Sequence, residues 1–484
     1  MKDCDVIVIG SGIGGLSCAG ILAGRGLRVL VLEKNINPGG YLTSFKRKGF
    51  IFDSTVDCFS GMDECGAIRH LLKELDVENK IEFIRVDPIR ESIFPGIKIK
   101  TWSNVNVYIE SLKELFPAEK NIEGFFKKME EIYNDINTWA GGILHNVDNK
   151  STFPTVLLKY GGITYRSLLN SYLYDERLKS ILSDRCSFLG LPPSKISAVS
   201  MALLLMSYFI SGAYRPIGGC QKLSDVLVEG IKKKGGNIFF EKEVSKIIME
   251  GSRAVGVTTG DGASYTAHYV VSNIDYAKTF FMLGGNYIFE AQNTLQEFGV
   301  SPSFFILYIG AKTDLSFLGA SSSIGYFPSY DMEKAFDFKN SFSENTPIGL
   351  TIPTVMDSSM SPYNSHSIAV HELTDYAYSK SWKEEKEKVS ELILNKAEKI
   401  IPNLKKQAVH IEAATPATLE RYTANFRGAA YGWQQLPWLR PVKTMVANLY
   451  LAGHWGGLGG GVIAATYSGF KTAKEILKQS MYKI

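Results

Sequence analysis

The hydrophobic positions of the chain alternate between two textures. Asp5 to Ile9 reads DVIVI, an almost uninterrupted β-branched run closed by Gly10, which predicts a strand. Leu16 to Gly24 is expected to be helical and Arg28 to Leu32 to form a second strand. After a turn-rich stretch, apolar residues recur at spacings of three and four from Ala67 to Leu75, from Leu112 to Trp139 and from Tyr165 to Leu189, the pattern of helices with one buried face. Pro192-Pro193 breaks this series. Ile196 to Tyr214 then runs for 19 residues without a charge, which admits three readings: a buried helix, a helix lining an apolar cavity or dipping into a membrane interface, or a true span. Beyond it, Leu223, Val226, Leu227 and Ile231 mark one helix face that Gly235-Gly236 ends. Asn237–Phe240, Glu243–Met249, Ala254–Thr259 and Tyr265–Val271 read as extended segments. Residues 301–370 are aromatic and β-rich, Trp382 to Ile401 is a charged helix stopped by Pro402, and Asn448 to Gly453 is a short strand leading to a helix from Val462 to Leu477.

The turn after the first strand carries chemistry. Gly10, Gly12 and Gly15 occupy the positions of a G-x-G-x-x-G motif, with Gly14 inside it. The first glycine permits a tight turn, the second admits a pyrophosphate against the backbone, and the third lets helix and strand pack closely. The following helix points its free N–H groups at the phosphates. Glu33, at the end of the second strand, is placed to accept hydrogen bonds from ribose hydroxyls, with Lys34 beside it. A carboxylate there repels a 2'-phosphate, so FAD or NAD suits the unit better than NADP. Gly39 and Gly40 can bring further backbone N–H groups to a phosphate or ring. At the other end of the chain, Gly453, the glycine run 456–461 and Val462 repeat the strand, glycine turn and helix order. A helix N-terminus there favours a ring carbonyl on which negative charge develops.

Composition changes this picture little. The 484 residues are 45% hydrophobic and 21% charged with a net charge of +4, and no basic cluster with interleaved aromatics points to nucleic acid. Six scattered cysteines show neither C-x-x-C nor zinc spacing, so reduced thiols in a cytoplasmic protein are expected, and no metal site is expected. The mildly basic balance leaves room for peripheral contact with the inner face of an anionic membrane.

The motifs together resemble the phytoene desaturase family of FAD-dependent enzymes, which includes carotenoid cis–trans isomerases and retinol saturases within the wider amine-oxidase-like fold. VIVIGSGIGGLSCAGILAGRGLRVLVLEK matches its N-terminal signature, PGG at 38–40 and GFIFD at 49–53 its continuation, and residues 218–247, 270–284 and 448–469 its later segments. The chain departs at Thr55 and Cys58, where many relatives carry glycine and histidine, and at His454-Trp455. The resemblance implies a two-lobed α/β flavoprotein with a Rossmann-type βαβ core and a mixed sheet-plus-helix substrate domain. FAD-binding segments fall at 1–66, 215–300 and 441–484, with substrate segments at 67–214 and 301–440. By the same likeness, the backbone of Val244 would approach the adenine.

FAD would supply hydride or single-electron chemistry to a hydrophobic isoprenoid or polyene, by desaturation, saturation or, with reduced FAD, isomerisation. His454 is the candidate acid or base, with Trp455 and Tyr431 beside it as catalytic candidates. Phe304, Phe305, Tyr308, Trp433 and Trp438 are candidate cavity walls or core. Arg215 and Arg427 are candidates for holding a polar substrate end. Two further readings stand: an amine oxidase with Tyr431 and Trp455 flanking the amine, and a flavin-bearing assembly protein without turnover, its flavin face closed by side chains. The redox partner and oligomeric state are not encoded in any motif.

Overall fold

The computed structural model describes residues 2–144, 155–438, 442 and 444–481. A five-stranded parallel sheet has the order 449–451, 269–272, 6–9, 29–32, 237–239. Both faces of its central strands are covered, which is why DVIVI is apolar without alternation. Val6, Val8, Val29 and Val31 pack against a helical layer made by Ile13–Gly24, Ala67–Glu74, Gln221–Lys233 and Val462–Met481. Ile7, Ile9, Leu30 and Leu32 pack on the opposite side against the antiparallel strands Val244–Glu250 and Arg253–Thr259.

Two expectations change here. The extended segment 265–271 is two strands: Ser264–Thr266 completes the antiparallel sheet, while Tyr269–Ser272 enters the parallel one beside Val6–Ile9. The first boundary, placed at 66/67, falls later. Ala67, Ile68, Leu71, Leu72, Leu75 and Val77 all lie in the core of the parallel sheet, because their apolar face closes over the first helix. The boundary placed at 440/441 lies outside the described residues.

The second lobe is built on a seven-stranded sheet of order 408–414, 303–311, 366–374, 348–351, 323–326, 90–94, 97–101. Its two faces serve different ends. Phe305, Leu307, Ile309, Ile368 and Val370 pack under the helix Trp382–Ala397, whereas Phe304, Ile306, Ser367, Ala369 and His371 line a cavity. The helices Val105–Leu115, Ile122–Leu144, Tyr165–Tyr172, Glu176–Leu182 and Ala198–Ser211 form one further core. The helical pattern expected from 112 to 139 is interrupted between Leu115 and Ile122, around Pro117, whose ring cannot continue a helix. No helix among the described residues is long and apolar enough to cross a membrane, which removes the spanning reading of 196–214.

The charged helix is anchored through the sheet by one buried pair. Lys396 Nζ donates to a carboxylate oxygen of Glu372, to Thr346 Oγ1 at 3.0 Å and to the carbonyl of Ser343 at 3.1 Å, with both charged side chains almost wholly buried. Burial alone pushes the Glu372 carboxyl up and the Lys396 ammonium down, and their mutual attraction opposes both shifts. Lys396→Met should therefore cost about 3–5 kcal/mol in denaturant titration by leaving a buried carboxylate unpaired, and Glu372→Leu/Lys396→Met should recover most of it. An unchanged midpoint in the single variant would show that Glu372 finds another partner.

Candidate active site

The first strand ends at Gly10, which has φ +89° and donates its N–H to the carbonyl of Leu32. The helix beginning at Ile13 is pressed against two other backbones. A Cβ at Gly14 would stand 2.5 Å from Gly453 Cα, and one at Gly15 would stand 2.3 Å from the carbonyl oxygen of Gly10. Gly10, Gly12 and Gly14 line the cavity, whereas Gly15 serves packing and does not. Asn273 completes the turn: its Nδ2 donates to the carbonyls of Gly10 at 3.3 Å and Gly12 at 3.4 Å. No glycine motif announces this residue. Its signals are a polar side chain directly after a buried strand and its place in the segment 270–284 that resembles the family.

Glu33 is 5% exposed and lines the cavity at the end of the second strand. One carboxylate oxygen accepts from Ser11 N at 2.8 Å and Ser11 Oγ at 2.6 Å, the other from Asn35 N at 2.9 Å and Asn35 Nδ2 at 3.0 Å. Thus Glu33 also braces the glycine turn, a role that spacing alone does not reveal. Lys34 and Val244 line the same end. Lys34 Nζ donates to the carbonyl of Arg421 at 2.6 Å, and burial, helped by nearby Lys278, pulls its ammonium down. Gly39, which donates its N–H to Ser11 O, and Gly40 line the adjoining wall.

The C-terminal turn opens onto the same cavity. Gly453, Gly461 and Val462 all line it, and a Cβ at Gly461 would meet nothing within 4 Å. Two helix N-termini, at Ile13 and Val462, therefore face one space of about 500 Å³. That space has an acid at one end and crowded, side-chain-free backbone along its middle, and these residues fit a dinucleotide carrying a ring system. It continues past the turns to Val199, Leu203, Leu204, Ser207 and Tyr208 on the 198–211 helix, which is thus buried and cavity-lining at once.

The three catalytic candidates do not stand alike. His454 and Tyr431 line the cavity, and Trp455 does not. Trp455 is 1% exposed, stacks edge-on against Trp433 at 4.8 Å and donates Nε1–H to Asn425 Oδ1 at 2.9 Å. His454 Nε2 lies 3.1 Å from that same oxygen, so it must be the donor, which leaves the Nδ1 lone pair uncommitted. Burial pushes the His454 imidazole down to about 4, so near neutral pH it is an acceptor and no acid. The Tyr431 hydroxyl donates to the carbonyl of Ser187 at 2.9 Å and burial raises its pKa, so Tyr431 presents a ring rather than a proton.

Other expectations are corrected by what each group touches. Arg215 lines the cavity, but its guanidinium is bound to Asp53 and Asp57, and Arg427 is exposed and does not line the cavity. Of the remaining aromatic candidates only Phe304 reaches the cavity. Phe305 packs on Trp382 and Phe342, Tyr308 donates to Ser54 O, Trp433 packs on Tyr276 and Phe298, and Trp438 is exposed beside Gly161. The pairing of Tyr431 with Trp455 around an amine is likewise lost, since the indole lies behind the wall.

Gly14→Ala should weaken FAD binding roughly ten- to hundredfold, because overpacking of about 1–3 kcal/mol would push the first helix off Gly453. Flavin content after gel filtration measures this, and an unchanged stoichiometry would show that the two turns need not touch. The imidazoles of His454 and His371 are both held at about 4, His371 by burial and by Arg90. An unfolded histidine near 6.5 takes up a proton that the folded one refuses, so stability should fall as pH drops from about 6.5 towards 4. His454→Asn should flatten the melting-temperature profile across that window and leave it unchanged above pH 7. Parallel profiles would contradict the neutral assignment.

Comparison with known proteins places this geometry. The chain is 28% identical to the prolycopene isomerase of Arabidopsis thaliana over 98% of its own length and 82% of that protein. It is 27% identical to the all-trans-retinol 13,14-reductase of Rattus norvegicus over 99% of its length and 86% of that protein. The structure of an oxidoreductase from Methanosarcina mazei superposes with a TM-score of 0.65, at 20% identity, covering 97% of this chain and 100% of the other. Residues 13–280 match the family described as flavin containing amine oxidoreductase, so the chain belongs to that family and its cofactor is FAD.

Proposed function

We propose that the protein is a FAD-dependent enzyme acting on carbon–carbon double bonds of a hydrophobic isoprenoid or polyene, with cis–trans isomerisation by reduced FAD as the reaction its site serves best. The observation that carries this reading is the continuity of the cavity. The glycine turns grade directly into a wall of Tyr133, Ile136, Val199, Leu203 and Leu204, and the one guanidinium on the wall, that of Arg215, is neutralised by two carboxylates. Such a space accepts a long apolar chain. The two relatives, named for a polyene isomerase and a retinol reductase, support the same class of substrate along nearly the whole chain.

Gly10, Gly12, Gly14, Gly39 and Gly40 with Glu33, Lys34 and Val244 would hold the adenosine and pyrophosphate half of the cofactor. Gly453, Gly461 and Val462 would hold the flavin half. Bound in reduced form, FAD supplies electrons that lower the order of a polyene bond and takes them back. The residues around the C-terminal turn favour a reaction without net proton transfer. His454 is neutral with only a lone pair free, Tyr431 is committed to Ser187, and Trp455 acts through Asn425 as a positioning residue. Saturation needs a proton delivered with the hydride, and desaturation needs one removed. Neither His454 nor Tyr431 is poised to deliver one, and His454, held at about 4, is a weak base for removing one.

The test is product mass after incubating a polyene with oxidised and with chemically reduced holoenzyme. Unchanged mass with altered retention, seen only with reduced FAD, is the expected result. Gain of two hydrogens would make the protein a saturase and loss of two a desaturase. Unreacted polyene together with bleaching of the flavin by amines would sink the polyene reading.

A further inference from the structure

His371 lies on the cavity face of the seven-stranded sheet, in the strand His366–Thr374, where Ser367, Ala369 and His371 alternate towards the cavity. Its cross-strand neighbours are Ile306 on one side and Gly349 on the other. The glycine is what lets the imidazole lie flat on the sheet: a Cβ at Gly349 would stand 2.2 Å from His371 Nε2. Phe304 meets the ring edge-on at 5.6 Å. None of the described residues hydrogen-bonds either ring nitrogen. The next residue, Glu372, points the other way and has every carboxylate oxygen satisfied. Polar groups inside a fold are normally paired, so an imidazole that lines the cavity with neither ring nitrogen bonded among the described residues is a site in want of a ligand. Thr351 lines the same face next to it.

The charges nearby define which ligand. Arg215 is held by Asp53 and Asp57 and Arg90 by Asp184 and Ser323, while Arg185, whose terminal nitrogens are buried without partners, does not line the cavity, so a carboxylate there would find no free guanidinium. An ammonium would find no free anion, because Asp57 also accepts from Ser323. A neutral oxygen is the remaining match: a hydroxyl can donate to the unprotonated ring nitrogen or accept from the protonated one, and a carbonyl can accept from the latter. We propose that His371, with Thr351 beside it, forms a terminal subsite for an alcohol or carbonyl oxygen at one end of an otherwise hydrocarbon polyene. This rests on the polyene reading above and narrows it. The subsite is two ring-to-ring steps from the C-terminal glycine turn, 5.6 Å to Phe304 and 5.8 Å on to Tyr431, whose backbone abuts Gly460. An oxygen anchored at His371 therefore sets which double bond lies beside that turn.

The test compares a polyene alcohol with the hydrocarbon of the same chain length, each titrated into holoenzyme with oxidised FAD and followed by perturbation of the flavin spectrum. The wild type should bind the alcohol about tenfold more tightly, the worth of one well-made hydrogen bond in a desolvated site. His371→Leu should bring the two affinities together by weakening the alcohol alone, with flavin content unchanged, while His371→Asn, which keeps a donor and an acceptor, should retain part of the preference. Equal affinities in the wild type, or a preference that survives in His371→Leu, would overturn the subsite and leave the polyene reading standing. Binding of neither compound would overturn that reading and the subsite with it. Loss of turnover in His371→Leu with the binding preference intact would assign the imidazole to chemistry and overturn its role as an anchor.

Discussion

At Gly14 the first helix touches Gly453 with no side chain between them, and the remainder of the site is arranged around that approach. The strands 6–9 and 449–451 flank 269–272 in a parallel sheet, so their turns emerge at the same edge. Two helix N-termini can then face one cavity only if the intervening backbone is thin. Asn273, at the end of the middle strand, keeps the turns in place through the carbonyls of Gly10 and Gly12. Residues more than 400 positions apart thus form one anion-friendly surface, and the second lobe can be placed against it as a continuous wall.

The parts of this arrangement that were legible in the sequence are those made by neighbours in the chain. A buried strand, a glycine turn, a helix and a second strand ending in an acid lie within the first 33 residues, and each has a local physical signature. The C-terminal turn was legible for the same reason. Asn273 and Asn425 were not, because each acts on atoms that only the tertiary fold brings near. Trp455 and Arg215 show the converse. Their residue types suit a site, yet the indole is spent on Asn425 and Trp433 and the guanidinium on Asp53 and Asp57.

The uncharged stretch 196–214 illustrates a limit of hydrophobicity as a signal. Its serines weigh against a membrane span and its leucines against a solvent-facing side, and both have one cause. Ser200, Ser207 and Ser211 face the cavity along with Val199, Leu203 and Leu204, while Ala198, Met201, Ala202 and Met206 fill the helical core. A helix that is apolar all round is buried on every side, but burial against an internal cavity and burial against protein leave the same mark on a sequence. The chain alternates its small polar groups so that the cavity stays open while Ser207 Oγ satisfies itself on the carbonyl of Leu204.

Electrostatics then determines what kind of chemistry the space can host. Several charged groups near the wall are already matched, Arg215 with Asp53 and Asp57, Arg90 with Asp184, and Glu33 with Ser11 and Asn35, whereas Asp63 on the wall keeps one buried carboxylate oxygen unpartnered. The two histidines that remain are held neutral by burial. The apolar stretch of the wall, Val199, Leu203 and Leu204, stabilises no developing charge on a substrate carbon, so a cofactor that can lend and reclaim electrons would face a substrate whose own conjugation must spread the charge there. An extended polyene meets that requirement and a saturated amine does not, because only the former delocalises charge along its length without help from the protein.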